Sequence, residues 1–333
     1  MNQNQTILVT GAAGFIGFFL TQRLIAAGHR VVGIDNMNSY YDIELKNARL
    51  AVLQKLQHFT FIKADLSDRA TVEKVFSDNS FSRVVHLAAQ AGVRFSITDP
   101  HEYIPANLSG FFNVLHACKD AKLEHFVYAS SSSVYGANSK VPFEEKDATD
   151  HPVNLYAATK RSNELMAYSY AHIYGLPSTG LRFFTVYGPW GRPDMAYFHF
   201  TKSILAGETI KVFNHGNMKR DFTYIDDTVE SIMRIIDIIP VCDKTDALSN
   251  GMPWRVFNIG RNKPENLMKI ISVLEHALGK KANMEMLPMQ PGEMLDTYAD
   301  STPLITATGF EPSINIEQGI VKFVDWYKEF YPA

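Results

Sequence analysis

The stretch from Thr6 to Asp35 leaves a chain few ways to fold. An apolar run, TILVT, ends in Gly11-Ala12-Ala13-Gly14-Phe15-Ile16-Gly17, an amphipathic stretch runs to His29, and a second apolar run, RVVGI, ends in an acid. The order predicts strand, glycine turn, helix, strand. Ile16, Leu20 and Leu24 recur every four residues, which gives the helix one buried stripe, and Gly28 closes it. A strand that turns through glycines straight into a helix aims the helix's first N–H groups, and the positive end of its dipole, at whatever lies beyond the strand. An acid about 20 residues on, at the end of the next strand, is placed to hold ribose hydroxyls. The bare GxxGxxG spacing would fit a ligand-free turn, but the flanking strands and Asp35 turn it into a dinucleotide site. A carboxylate there repels a 2′-phosphate and neither Asn36 nor Met37 offers a cation, so the expected cofactor is NAD rather than NADP.

Further apolar runs, FTFIKAD, RVVHLAA and HFVYASS, alternate with helically patterned segments, and a helix over Leu155 to Tyr174 precedes another strand, STGLRFF. This alternation predicts an α/β fold, a Rossmann-type doubly wound parallel sheet covered on both faces. After Gly188 the pattern breaks up through Pro189, Gly191, Pro193 and the turn-rich HGNMKRD and LPMQPGEM segments, which predicts a smaller, less regular C-terminal substrate lobe. The expected division is 1–188 for NAD binding and 189–333 for the substrate, with the chain free to cross back. The chain has 333 residues, with 32 basic side chains against 35 acidic, and its net charge of -3 favours neither nucleic acid nor an anionic membrane as partner. Two cysteines, Cys118 and Cys242, with no Cys/His cluster, point away from disulfides and from a bound metal. No apolar run is long enough to span a bilayer, and the polar MNQNQ leads directly into the first strand, so the expected location is cytoplasmic.

Tyr156 and Lys160 are four residues apart near the start of the long helix and so share a face. An ammonium near a phenol lowers its pKa, and the phenolate can then take a proton from an alcohol and return it. Such a pair is also common on helix surfaces. Its weight comes from the serine run Ser130 to Ser133, which follows the strand HFVYA at the sheet end where ligands collect in this architecture.

Taken in order, GAAGFIG, LAAQAGV, ASSSSVYG and YAATK resemble the extended short-chain dehydrogenase/reductases, over nearly the whole chain. Within them DNMNSYYD (Asp35 to Asp42), QAGVRFS (Gln90 to Ser96), LRFFTVYGPWGRPDMA (Leu181 to Ala196) and RDFTYIDD (Arg220 to Asp227) together resemble the UDP-glucuronate 4-epimerases. The resemblance implies interconversion of UDP-glucuronate and UDP-galacturonate through a transient 4-keto sugar, with NAD carrying the hydride out and back. It implies catalytic roles for Ser131, Tyr156 and Lys160, the last two also touching the cofactor. Gly11, Gly14, Phe15, Ile16 and Gly17 would meet the cofactor's pyrophosphate, and Asp35 and Asn36 its ribose. Asp65 and Leu66 would flank the adenine, Leu87, Ala88 and Ala89 would pass along the cofactor, and Phe184 would lie by the nicotinamide.

For the substrate, the resemblance implies Ser132, Thr185 and Arg192 at the sugar and its carboxylate, and Arg94 and Arg220 at the diphosphate. Glu293 stands where these enzymes often carry an aspartate on the uridine ribose. It also implies a homodimer joined through helices over His101 to Ala121 and Leu155 to Tyr174. Phe18-Phe19 and Met294-Leu295-Asp296 depart from the usual pattern without removing a catalytic group. The enzymatic rivals are UDP-glucuronate decarboxylase and a nucleotide-sugar 4,6-dehydratase. Both usually have an acid where this chain has Ser132-Ser133. A 4-epimerase for another nucleotide sugar and a catalytically silent NAD-binding regulator complete the alternatives, and the joint presence of Ser131, Tyr156 and Lys160 opposes the last.

Overall fold

Along the first strand, β1 (Thr6–Thr10), Ile7 and Val9 enter one apolar layer and Leu8 the opposite one, all fully buried, so both faces of the sheet need a helical cover. The computed structural model describes residues 5–246, 248–289 and 296–332. The cover comes from α1 (Phe15–Ala26), α2 (Ile43–Leu53), α3 (Arg69–Asp78), α4 (Phe95–Thr98), α5 (Gly110–Asp120) and α6 (Leu155–Tyr174). These alternate with β2 (Arg30–Asp35), β3 (Phe59–Lys63), β4 (Arg83–His86), β5 (His125–Ser131) and β6 (Ser178–Phe183). Side-chain caps start the helices where the sequence offers them: Asp42, Asp68 and Asn154 accept backbone N–H groups of α2, α3 and α6.

The chain continues through β7 (Thr185–Tyr187), α7 (Ala196–Ala206), β8 (Thr209–Val212), β9 (Lys219–Tyr224), α8 (Ile225–Asp237) and β10 (Trp254–Ile259). It ends with β11 (Pro264–Asn266), α9 (Leu267–Leu278), β12 (Asn283–Met286), β13 (Asp296–Thr297), α10 (Thr302–Thr308) and α11 (Ile316–Phe330). The main sheet has the order β10-β6-β5-β4-β1-β2-β3 and is parallel at every pairing. The chain therefore crosses back after residue 188 to add β10 beside β6. Strands β11, β9, β13 and β7 form a second small sheet, and β8 pairs with β12. In the main sheet the winding direction reverses between β1 and β4, and a doubly wound sheet opens its ligand crevice at that point, outside the strands' carboxyl ends. Gly11, Asp65, Leu87, Ser132 and Phe184 all follow those ends, and Asp35 and Ser131 occupy them.

The stretch from His101 to Ala121 is not one regular helix. It opens with a tight turn at Pro100–Glu102, widens to a π-helical segment at Ile104–Ser109, and becomes α-helical only at Gly110. Pro105 has no N–H to give to an α-helical ladder, which is why the winding changes there.

Beneath β5 and β6 lies a buried ion pair. Arg182 grips Glu164 at two points, Nε to Oε1 at 2.8 Å and Nη2 to Oε2 at 2.9 Å, and Ser130 Oγ donates to the same carboxylate at 2.6 Å. Arg182 Nη1 also donates to Tyr135 Oη and to the Glu145 carbonyl, both at 3.0 Å. The network pins α6 to the strands that carry Ser131 and Phe183. Arg182→Ala leaves the buried Glu164 with Arg161, 2.9 Å from its Oε2, as its remaining ion-pair partner, and should cost about 3 kcal/mol in urea-induced unfolding, the lower end for breaking a buried pair.

Candidate active site

The crevice is a cleft of about 1050 Å³, at the upper limit of what a single drug-sized ligand fills. Every site residue expected from the sequence lines it, except Glu293, which lies outside the described residues. At one end Gly11 has φ +70° and donates its N–H to Ile34 O at 2.7 Å. A Cβ on Gly17 would fall 2.1 Å from Gly11 O, so the turn and the first coil of α1 pack with no space for a side chain. Gly14, the residue capping α1, makes no side-chain cap bond, and the first turn carries no acid. The helix thus presents free N–H groups and an uncompensated dipole to the cleft, as a pyrophosphate requires.

Asp35 is buried. Its Oδ1 accepts from Met37 N at 2.9 Å, and Lys46 Nζ approaches to 3.7 Å while donating to Asn38 Oδ1 at 2.8 Å. Asn36 Nδ2 reaches Asp65 Oδ2 at 3.2 Å, which ties the loops after β2 and β3 together. Uncapped helix end, glycine cradle and buried acid fit an NAD-sized dinucleotide. The cation at Lys46 escapes a reading of Asn36 and Met37 because it arrives from α2 through the tertiary fold.

Ser131, Tyr156 and Lys160 meet on the floor of the cleft. Ser131 Oγ accepts Ser133 N at 3.2 Å, which opens the short turn carrying Ser132. Burial pushes the Tyr156 phenol above its ordinary value, opposed by the Ser131 hydroxyl and the Arg192 guanidinium, while the Asp194 carboxylate acts with burial. Lys160, fully enclosed, donates to Ala129 O at 2.9 Å and is pushed down to about 8 by burial. The ammonium is anchored to the strand, and Arg192 and Asp194 are the charges felt at Tyr156. Phe184 is buried beside Tyr135 and Phe143, at ring distances of 6.5 and 6.4 Å, and lines the cleft.

Arg94 and Arg220 line the far end, Arg94 over the Phe213 ring at 5.3 Å and Arg220 with Nη1 on Lys219 O at 2.9 Å. Thr185 opens β7, pairs with Phe222 of β9 and lines the cleft. Arg192, expected at the substrate carboxylate, lines the cleft and is gripped at two points by Asp194 of its own loop, and Tyr40 Oη donates to Asp194 at 3.2 Å from the loop after β2. A fully buried Arg49 closes the same seam, giving Nη1 to Ala13 O and Tyr41 Oη, both at 3.0 Å, and Nη2 to Gly191 O at 3.2 Å and to Trp190 O. Tyr40, Lys46, Arg49 and Asp194 are site residues that the sequence reading passed over. Tyr40 and Asp194 lie inside the segments DNMNSYYD and GRPDMA, but nothing in either segment says that the two segments meet.

Residues 7–247 match the NAD dependent epimerase/dehydratase family, and the chain belongs to it. The chain is 48% identical over 331 residues to a Rhizobium meliloti protein named probable UDP-glucuronate 4-epimerase, covering 97% of each. It is 46% identical over 336 residues to UDP-glucuronate 4-epimerase 4 of Arabidopsis thaliana, covering 99% of this chain and 77% of the plant protein. Among solved structures, UDP-glucuronic acid 4-epimerase of Bacillus cereus in complex with UDP-glucuronic acid and NAD superposes with a TM-score of 0.87 at 35% identity, covering 98% of this chain and 100% of that one.

Asp35→Ala removes the buried acid at the end of β2, expected from the sequence to hold ribose hydroxyls, and should raise the dissociation constant for NAD roughly ten- to hundredfold in a calorimetric titration, the range for losing hydrogen bonds to a charged group.

Proposed function

We infer that this chain is an NAD-dependent isomerase that interconverts UDP-glucuronate and UDP-galacturonate by inverting C4 of the sugar. The observation that carries the reading is the convergence of Ser131, Tyr156 and Lys160 on one cleft that also contains the glycine turn and Arg192. Bound NAD supplies the acceptor, and on the return the donor, of the C4 hydride. Tyr156 takes the proton of the 4-hydroxyl and gives it back, Ser131 holds that hydroxyl by a hydrogen bond, and Lys160 fixes the floor through Ala129. Burial raises the pKa of the Tyr156 phenol, the Ser131 hydroxyl and Arg192 lower it, and the positive nicotinamide ring of bound NAD would lower it further.

Between the two half-reactions the 4-keto sugar must turn over while its diphosphate stays held, a task for Arg94 and Arg220. That intermediate is a β-keto acid and loses carbon dioxide when its C–C bond aligns with the ketone. Ser132, Thr185 and Arg192 fix the carboxylate out of that alignment. Asp194, the carboxylate that acts on Tyr156 among the described residues, is committed to Arg192 and Tyr40 and so is not free to serve as a lyase's acid. That arrangement favours epimerisation over decarboxylation or dehydration.

The reading assigns residues 1–188 mainly to NAD and 189–333 mainly to the UDP-sugar, Glu293 included, with β10 returned to the first unit. No helix among the described residues is long and apolar enough to cross a membrane, and a cytoplasmic enzyme suits a UDP-uronate substrate. A homodimer accounts for the apolar side chains left exposed on the two helices concerned, Phe112 on α5 and Leu165, Ile173 and Tyr174 on α6.

Purified protein incubated with UDP-glucuronate and no added NAD should yield UDP-galacturonate, followed by proton NMR, with no net reduced cofactor. A pentose product would overturn the assignment in favour of the decarboxylase. Leu165→Glu should convert the dimer to a monomer in sedimentation velocity and leave the circular dichroism spectrum unchanged.

A further inference from the structure

Arg192 and Asp194 are two residues apart on the loop between β7 and α7, yet they meet side-on, Nε to Oδ1 at 3.0 Å and Nη2 to Oδ2 at 2.5 Å. That is the two-point grip a guanidinium also offers a substrate carboxylate. Asp194 occupies Nε and Nη2, which leaves the Nη1 edge for a ligand. Arg192, Asp194 and Tyr156 line the same cleft, and both charges act on the Tyr156 phenol.

The acid is itself held from across the cleft. Tyr40 Oη donates to Oδ2 at 3.2 Å, and the Tyr40 ring packs 4.7 Å from Phe95. Its hydroxyl lies 2.3 Å from where a Cβ on Gly92 would stand, so a side chain at Gly92, which holds φ +105°, would displace it. Burial alone would raise the Asp194 carboxyl, but Arg192 and Tyr40 hold it below its ordinary value, so it stays ionised.

We propose that Asp194, anchored by Tyr40, is a positioning residue for substrate choice, holding one edge of Arg192 so that the other faces the C6 carboxylate of a UDP-uronate. The proposal rests on the uronate reading given above. An arginine already locked in its bound geometry loses little side-chain freedom on binding, so a carboxylate meets a prepared fork. A ligand without the sugar carboxylate gains nothing from that preparation.

The test is calorimetry on the NAD-loaded protein, titrating UDP-glucuronate and, separately, UDP. Asp194→Asn, which keeps the side-chain shape, should weaken UDP-glucuronate about tenfold and leave UDP within about twofold, its affinity serving as the check on folding. Tyr40→Phe should shift the same ratio in the same direction by less. In an Arg192→Ala background, adding Asp194→Asn should change nothing further, because the effect runs through the arginine. An unchanged UDP-glucuronate affinity, a tighter one, or a full Asp194→Asn effect without Arg192 would each overturn the proposal. Wild-type protein that binds UDP-glucuronate no better than UDP would instead remove the uronate reading beneath it.

Discussion

The cleft exists because a backbone turn and a helix approach each other with no side chain between them. Gly17 lies against Gly11 O, and Gly11 itself lies against the strand end at Ala88, where a Cβ would fall 2.9 Å from Ala88 N. Close packing of these three stretches leaves the first N–H groups of α1 facing open space at the point where the sheet's winding reverses. A side chain at either glycine would push α1 off the sheet and turn those groups away, and the acid at the end of β2 would then face an empty corner.

Helix α6 does two jobs on one register. Tyr156, Lys160 and Glu164 follow at intervals of four, so they rise along one face. The first two serve the cleft, and the third is locked by Arg182 and Ser130 beneath it. An ion pair this deep costs much of its Coulomb energy in lost hydration, so its value is less in stability than in fixing where the helix sits. The proposed meeting of the Tyr156 phenol with a sugar hydroxyl at hydrogen-bond distance depends on that fixed position.

Much of this was readable in the chain itself. The Rossmann-type sheet followed from the alternation of apolar runs, and Asp35 and Tyr156 with Lys160 followed from spacing, because these signals are local: a strand end, a turn, a helix face. What stayed hidden depends on segments that meet only after folding. Lys46 comes to Asp35 from the next helix, Asp194 and Tyr40 meet across 154 positions of chain, and the return of β10 to the main sheet has no local marker. The winding change at Pro105 had a local cause that the helix implied by the resemblance over His101 to Ala121 did not take into account.

Arg49 brings these halves into mechanical contact. Its buried guanidinium bonds the carbonyl of Ala13, inside the glycine turn, and those of Trp190 and Gly191, at the entrance of the loop that carries Arg192. Separating the two sides of the cleft would strand that charge, so the seam behaves as a latch that either side must break to move alone. A catalyst whose cofactor ends each turnover in the state in which it began has no need to exchange it, so a seam that resists opening takes nothing from such a cycle.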